Sequence, residues 1–127
     1  MDRVKTESVQ TDTLKMDRVS HYRQVIQSIL KEYARLFNHQ PAGVEVVAVC
    51  DEITDTYAIV NVGWDGSERM NTTTVLLRIV NSKIWVEEDR TMYGFVDALL
   101  DAGVPQDAIV LAFQPLKMRQ YTEFAIA

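Results

Sequence analysis

A chain of 127 residues with a 47% hydrophobic fraction fits one domain whose core needs no covalent staple. Its single cysteine, Cys50, excludes an intramolecular disulfide and any cysteine-based metal cluster, and two histidines, His21 and His39, offer little for zinc. A formal charge of −5 argues against a sequence-independent grip on nucleic acid, because that affinity comes from lysines and arginines displacing counterions from phosphates.

Residues 1 to 15, MDRVKTESVQTDTLK, are polar, show no apolar period and lack the apolar run of a signal peptide. They read as a disordered extension, with one domain over residues 16 to 127. The tetrapeptide MDRV at Met1 returns at Met16, an echo too short to be a structural repeat. No later run of about 18 apolar residues exists to span a bilayer, so the expectation is a cytoplasmic protein without a membrane partner.

From Met16 the pattern becomes helical. Val19, Tyr22, Val25, Ile26, Ile29, Leu30, Tyr33 and Phe37 recur at three- and four-residue spacing, with Arg23, Gln24, Gln27, Lys31, Glu32 and Arg35 on the other side. Asp17 is the expected N-cap, and NHQPAG from Asn38 to Gly43 ends the helix, because the residue before Pro41 is driven out of helical geometry. His21 then sits on a helix surface and His39 in a loop, where a solvated imidazole is a plainer explanation than a ligand.

Four strand-like runs follow: Val44 to Asp51, Tyr57 to Trp64, a long run ending at Val80, and Lys83 to Glu88. The turns between them, around Ile53 to Asp55, at Asp65-Gly66 and at Asn81-Ser82, are too short for anything but antiparallel neighbours, which predicts a four-stranded meander. Cys50 lies among valines in the first run and reads as core, since no His or Asp pattern accompanies it. The stretch VGWDG places Asp65 and Gly66 between two β-rich runs, a hairpin signal that explains both residues without chemistry.

Thr91 to Ala102 reads as a second helix with Phe95, Val96, Leu99 and Leu100 inward, Thr91 or Asp89 as cap and Gly103 as stop. Ala108 to Phe113 is apolar throughout and fits either a short strand or a helical turn. The end, Gln120 to Ala127, offers Tyr121, Phe124 and Ile126 for docking on the sheet or on a second subunit. The fold class is therefore α+β: an N-terminal helix, a four-stranded antiparallel meander, a second helix and a short C-terminal strand or extended segment.

The search for chemistry returns little. A metal-dependent nuclease or hydrolase would need Asp51, Asp65 and Glu87 to converge, and nothing in their spacing fixes that; the acid-x-lysine pair of restriction-type nucleases is absent, because Glu87 is followed by Asp89. There is no Gly-x-Ser-x-Gly elbow, and VGWDG lacks the lysine and hydroxyl of a phosphate-binding loop. No catalytic residue, metal site or cofactor is expected. Lys117 and Arg119 are the nearest approach to a basic patch; with Tyr121 they make a direct nucleic-acid contact the competing reading, against the simpler view of two solvated charges in a loop. Val46, Ala48 and Cys50 alternate with Val47 and Val49, so both sheet faces are apolar. Two helices cover one face; the C-terminal segment or another chain must hide the other, and a homo-oligomer, dimer or higher, is expected.

Taken in order, MDRVSHYRQVIQSILKEYA, VGWDG, NSKIWVEED, LLDAGVPQDAIVLAF and the terminal RQYTEFAIA resemble the XisI family, over about residues 16 to 127. The resemblance implies a small α+β protein of the kind that controls excision of the fdxN element in cyanobacteria, a DNA rearrangement of the developing heterocyst. It further implies a non-enzymatic accessory role beside a recombinase and a partner of the nuclease-fold XisH type. Lys117, Arg119, Tyr121 and Phe124 are the candidate contacts for that partner or for nucleic acid. Family members often carry histidine where this chain has Asn71 and Gln114, and glycine where it has Glu123; amides cannot shuttle protons near neutral pH, which again favours binding over chemistry.

Overall fold

A computed structural model describes residues 3–38, 43–92 and 94–127, with side chains from Asp17 onward. Helix α1 (Arg3–Phe37) is followed by strands β1 (Val44–Asp51), β2 (Thr56–Asp65), β3 (Glu68–Val80) and β4 (Lys83–Asp89), helix α2 (Phe95–Asp101), a 3-10 turn (Gln106–Ala108), strand β5 (Ile109–Leu111) and the single-turn helix α3 (Leu116–Arg119). The strands form one sheet in the order β1-β2-β3-β4-β5. The first four are the expected antiparallel meander. The apolar stretch after α2 resolves into a strand, which adds parallel to β4 with Ile84 opposite Ile109 and makes the sheet five-stranded.

Register sorts the side chains. Val46, Tyr57, Ile59, Val75, Leu77, Ile79, Ile84, Val86 and Ile109 share the front face, and α1 and α2 close over it with Tyr22, Ile26, Leu30, Phe95 and Leu99. Ile26 and Leu30 are fully buried, and each such side chain contributes about 2–3 kcal/mol by leaving water. Helix α1 begins at Arg3, upstream of the start expected at Met16. Asp17 therefore lies inside the helix and caps nothing, and residues 3–15, read from sequence as a disordered extension, fall within its span. His39 and Pro41 of the expected helix stop lie outside the described residues.

Helix α2 is shorter than its pattern. It begins at Phe95 behind Gly94, whose φ is 78° and whose backbone offers no side-chain cap. The cap comes from farther back: Asp89 Oδ2 accepts the Phe95 amide at 2.6 Å, while its Oδ1 accepts the Thr91 amide and hydroxyl at 2.9 and 2.5 Å. Asp89 thus serves as expected, but across a six-residue span that the end of β4 makes possible.

A joint between α1 and the sheet sits at Asp55. Its carboxylate accepts Arg23 Nε at 2.8 Å and Nη2 at 3.0 Å, and the buried Tyr57 hydroxyl donates to it at 2.9 Å; its carbonyl accepts the Ile79 amide. The Arg23 hydrogen bond holds Asp55 below the usual carboxylate range despite partial burial. Burial first, and the neighbouring Asp55 second, push the Tyr57 hydroxyl up. Glycines matter where β1 enters: the Trp64 amide bonds the Gly43 carbonyl at 2.9 Å, Gly63 has φ 142°, and a Cβ on Gly63 would lie 2.0 Å from the Gly43 oxygen.

Two outcomes follow for stability. Gly63→Ala, meeting both that backbone clash and the positive φ, is expected to destabilise the fold by at least about 2 kcal/mol in urea unfolding. Asp55→Asn is expected to cost about 1–2 kcal/mol at neutral pH, a figure discounted for the partial exposure of Arg23. Because folding depresses the Asp55 pKa, its contribution is present above the unfolded value near 4 and is lost as pH falls through the lower folded value. Urea titrations of the two proteins should therefore converge at strongly acidic pH.

Candidate interaction surface

The back face of the sheet carries Val47, Val49, Val60, Leu76, Trp85 and Val110. The chain after β5 runs along the β5 edge of the sheet and meets the back face where Arg119 lies over Trp85. The Ala112 and Phe113 amides both bond the Val86 carbonyl, at 2.9 and 3.3 Å, and α3 then turns the chain back so that Ala125 bridges to Val110 and its amide bonds the Ile109 carbonyl. Val110 is fully buried. The terminal segment docks on the sheet, one of the two expected outcomes.

Arg119 holds this segment. The guanidinium donates from Nε to the Gln114 carbonyl at 3.0 Å, from Nη2 to the Ala112 carbonyl at 3.3 Å and from Nη1 to the Ile126 carbonyl at 3.3 Å, and it lies 5.5 Å from the centroid of the Trp85 ring. A planar fork reaches three carbonyls from three separate nitrogens while facing an indole, whereas an ammonium has its three donors on one atom and no planar face. Arg119 and Lys117, expected in a loop as partner or nucleic-acid contacts, therefore lie on α3 with different fates. Arg119 is spent on internal bonds and is half-buried, whereas Lys117 is exposed. Phe124 turns inward against the main core, and Tyr121 stays outside at 78% exposure.

Other large apolar side chains of the same segment are also exposed. Leu116 is 61% exposed, and Phe113, Met118 and Ile126 are exposed as well. Five large apolar side chains thus cluster within residues 113–126, on a segment fastened by Arg119. Sequence reasoning named Tyr121 but missed Leu116 and Met118. Their signal was the pairing of apolar residues with Pro115, which starts the single-turn helix and turns them outward.

The carboxylates do not make a centre. Asp51 and Asp65 stand at opposite ends of the β1–β2 ladder, about 30 Å apart at the strand rise. Asp51 closes its own turn by accepting the Ile53 amide and the Thr54 hydroxyl; those bonds, the hydroxyl's first, hold it low. Glu87 pairs with Arg78 at 3.2 Å. Among the described residues no group of three or more His, Cys, Asp or Glu side chains converges on a common point. Cys50 is half-buried against the core, and burial raises its thiol pKa, the opposite of an activated nucleophile. The hairpin loop is Gly66-Ser67, with Asp65 paired to Glu68 as the last residue of β2, so the turn expected at Asp65-Gly66 is displaced by one position. Beside it Arg69 lies over Trp64 and bonds the Gly63 carbonyl. Asn71 is exposed on β3, and Glu123 accepts Gln106 Nε2 at 3.2 Å. No described helix is long and apolar enough to cross a membrane.

Comparison with known proteins gives one consistent answer. The family profile described as XisI protein matches residues 16–126. Among solved structures, the fdxN element excision controlling factor XisI from Anabaena variabilis is 44% identical, with a TM-score of 0.75 over 87% of this chain and 99% of the other. A XisI-like protein from the same organism is 30% identical, with a TM-score of 0.81 over 86% of this chain and 99% of the other. No functionally curated protein matches.

Arg119→Ala is expected to release the terminal segment: hydrogen exchange at the Ala125 amide should accelerate at least tenfold and Trp85 fluorescence should shift, while the front core persists. Arg119→Lys should restore neither, because its three donors radiate from one nitrogen and do not reach the carbonyls that Nε, Nη1 and Nη2 meet separately, nor does it offer a planar face to Trp85.

Proposed function

This chain belongs to the XisI family, and from that premise we propose that it is a non-enzymatic accessory factor of DNA excision that works by docking a protein partner of the nuclease-fold XisH type. The observation that carries the proposal is the set of exposed apolar side chains Phe113, Leu116, Met118, Tyr121 and Ile126 on a segment that Arg119 pins. Exposed apolar side chains on a fixed frame are what a protein interface uses, since the ordering cost of the segment has been met before the partner arrives. An aromatic and flexible apolar side chains suit the dry middle of an interface. The XisI from Anabaena variabilis is called an excision controlling factor, and a controlling role through contact agrees with a chain whose acids serve turns, caps and ion pairs.

The competing reading, direct contact with nucleic acid, is not favoured by the same geometry. Arg119 gives its donors to carbonyls of its own chain, which leaves Lys117 as the nearby exposed cation on a surface of net negative protein charge. Co-purification of the chain with the XisH-type protein of the same organism, at micromolar concentration, tests the proposal. A stable complex that Leu116→Asp and Tyr121→Ala each weaken at least tenfold, with melting temperatures unchanged, is the expected outcome. Failure to associate at low salt, or association indifferent to both substitutions, would contradict it.

A further inference from the structure

The two edges of the sheet are treated differently. At the β5 edge the terminal segment bridges Val110 through Ala125 and takes up the Ile109 carbonyl. At the other edge β1 has no described strand beside it. The phase of β1 follows from one bond: the Trp64 amide on the Gly43 carbonyl makes Gly43 and Trp64 a hydrogen-bonded pair, so Glu45, Val47, Val49 and Asp51 turn their backbone groups to β2. Val44, Val46, Ala48 and Cys50 turn theirs outward. The Val46 amide confirms this, because Asn38 Oδ1 accepts it at 3.1 Å from outside the sheet. The backbone groups of Ala48 and Cys50 remain directed along the open edge.

Among the described residues, only Asn38 reaches that edge, at Val46. VEVVAVCD contains no proline and no lysine, and the register shifts of the sheet fall between β2 and β3 and between β3 and β4, not in β1. Proteins blunt exposed edges with those devices, and a long apolar edge without them is a template for another strand. Val47 and Val49, at 37% and 44% exposure, flank it on the back face.

We infer that β1 pairs antiparallel with β1 of a second copy, about a two-fold axis at Val49, to give one continuous ten-stranded sheet. Each chain carries one sealed edge and one open edge, so edge pairing closes after two copies and cannot propagate. Charge selects the register. Centring the pair on Ala48 would set Glu45 against the partner's Asp51, a like-charge cross-strand pair. Centring it on Val49 sets Ala48 against the partner's Cys50, Val49 against the partner's Val49 and Asp51 against the partner's Val47, and leaves the Val46 amide with Asn38. With strands about 4.8 Å apart, the two α1 helices lying over β1 and β2 would run side by side on the front at about 10 Å, an ordinary helix packing distance. The back faces would join, each bringing Val47 and Val49 to the seam. This inference does not rest on the excision partner.

Sedimentation velocity on the chain alone, at tens of micromolar, should give a dimer, and Val49→Lys should convert it to monomer with the melting transition retained. Val49→Cys in a Cys50→Ala background should form a reducible cross-linked dimer on mild oxidation, because its Cβ faces its own symmetry mate across the ladder. Val47→Cys in that background should not, its mate lying about 13 Å along the strands. A monomer at every concentration overturns the inference, as does a dimer in which Val49→Cys stays uncross-linked; the cross-linking result decides the matter if Val49→Lys fails to fold.

Discussion

A sheet with apolar side chains on both faces needs two covers, and most of this molecule can be derived from how that demand is met. The front is closed in the ordinary way, by the Tyr22–Ile26–Leu30 stripe of α1 and by Phe95 and Leu99 of α2. The back has no long helix to cover it. It is served by the last fifteen or so residues, which form too little regular structure to hold themselves and are fixed by one guanidinium on three carbonyls and one indole. Covering one apolar area this way creates another, because the segment that bridges to Val110 presents Leu116, Met118 and Tyr121 to solvent. What the terminal segment does not reach, toward Val47 and Val49, stays open.

The elements legible in the sequence were those fixed by period and by turn chemistry. Alternation and short turns gave the meander with its order and orientation, and Asn81-Ser82 takes the two positive φ values its tight hairpin requires. Three features were not legible, each for a physical reason. The apolar run at 108–113 has no period, so only the free side of β4 could make part of it a strand. Gly63 has no local signal: it is needed because the Gly43 carbonyl passes where a Cβ would be, a contact between chain segments twenty residues apart. Arg119 looked like a surface cation, since no local pattern announces that three carbonyls will converge on it.

The chemistry of the carboxylates points the same way. Asp51 closes a turn, Asp55 joins a helix to two strands, Glu87 pairs across the sheet and Asp89 caps a helix whose own N-cap is glycine. Each occupies an interaction that positions backbone, and they are distributed along the sheet, not gathered in a cleft. These four acids serve the architecture, while Leu116, Met118 and Tyr121 stand exposed. Under the proposed role, control would pass through contact between surfaces, as suits a family that includes an excision controlling factor.

Hydrogen–deuterium exchange on the complex with the proposed nuclease-fold partner, compared with the chain alone, tests this account most directly. The account predicts new protection over residues 113–121, where α3 presents its apolar side chains, and no added protection along β1. New protection confined to α1 or β1, with residues 113–121 exchanging as freely as in the chain alone, would contradict it.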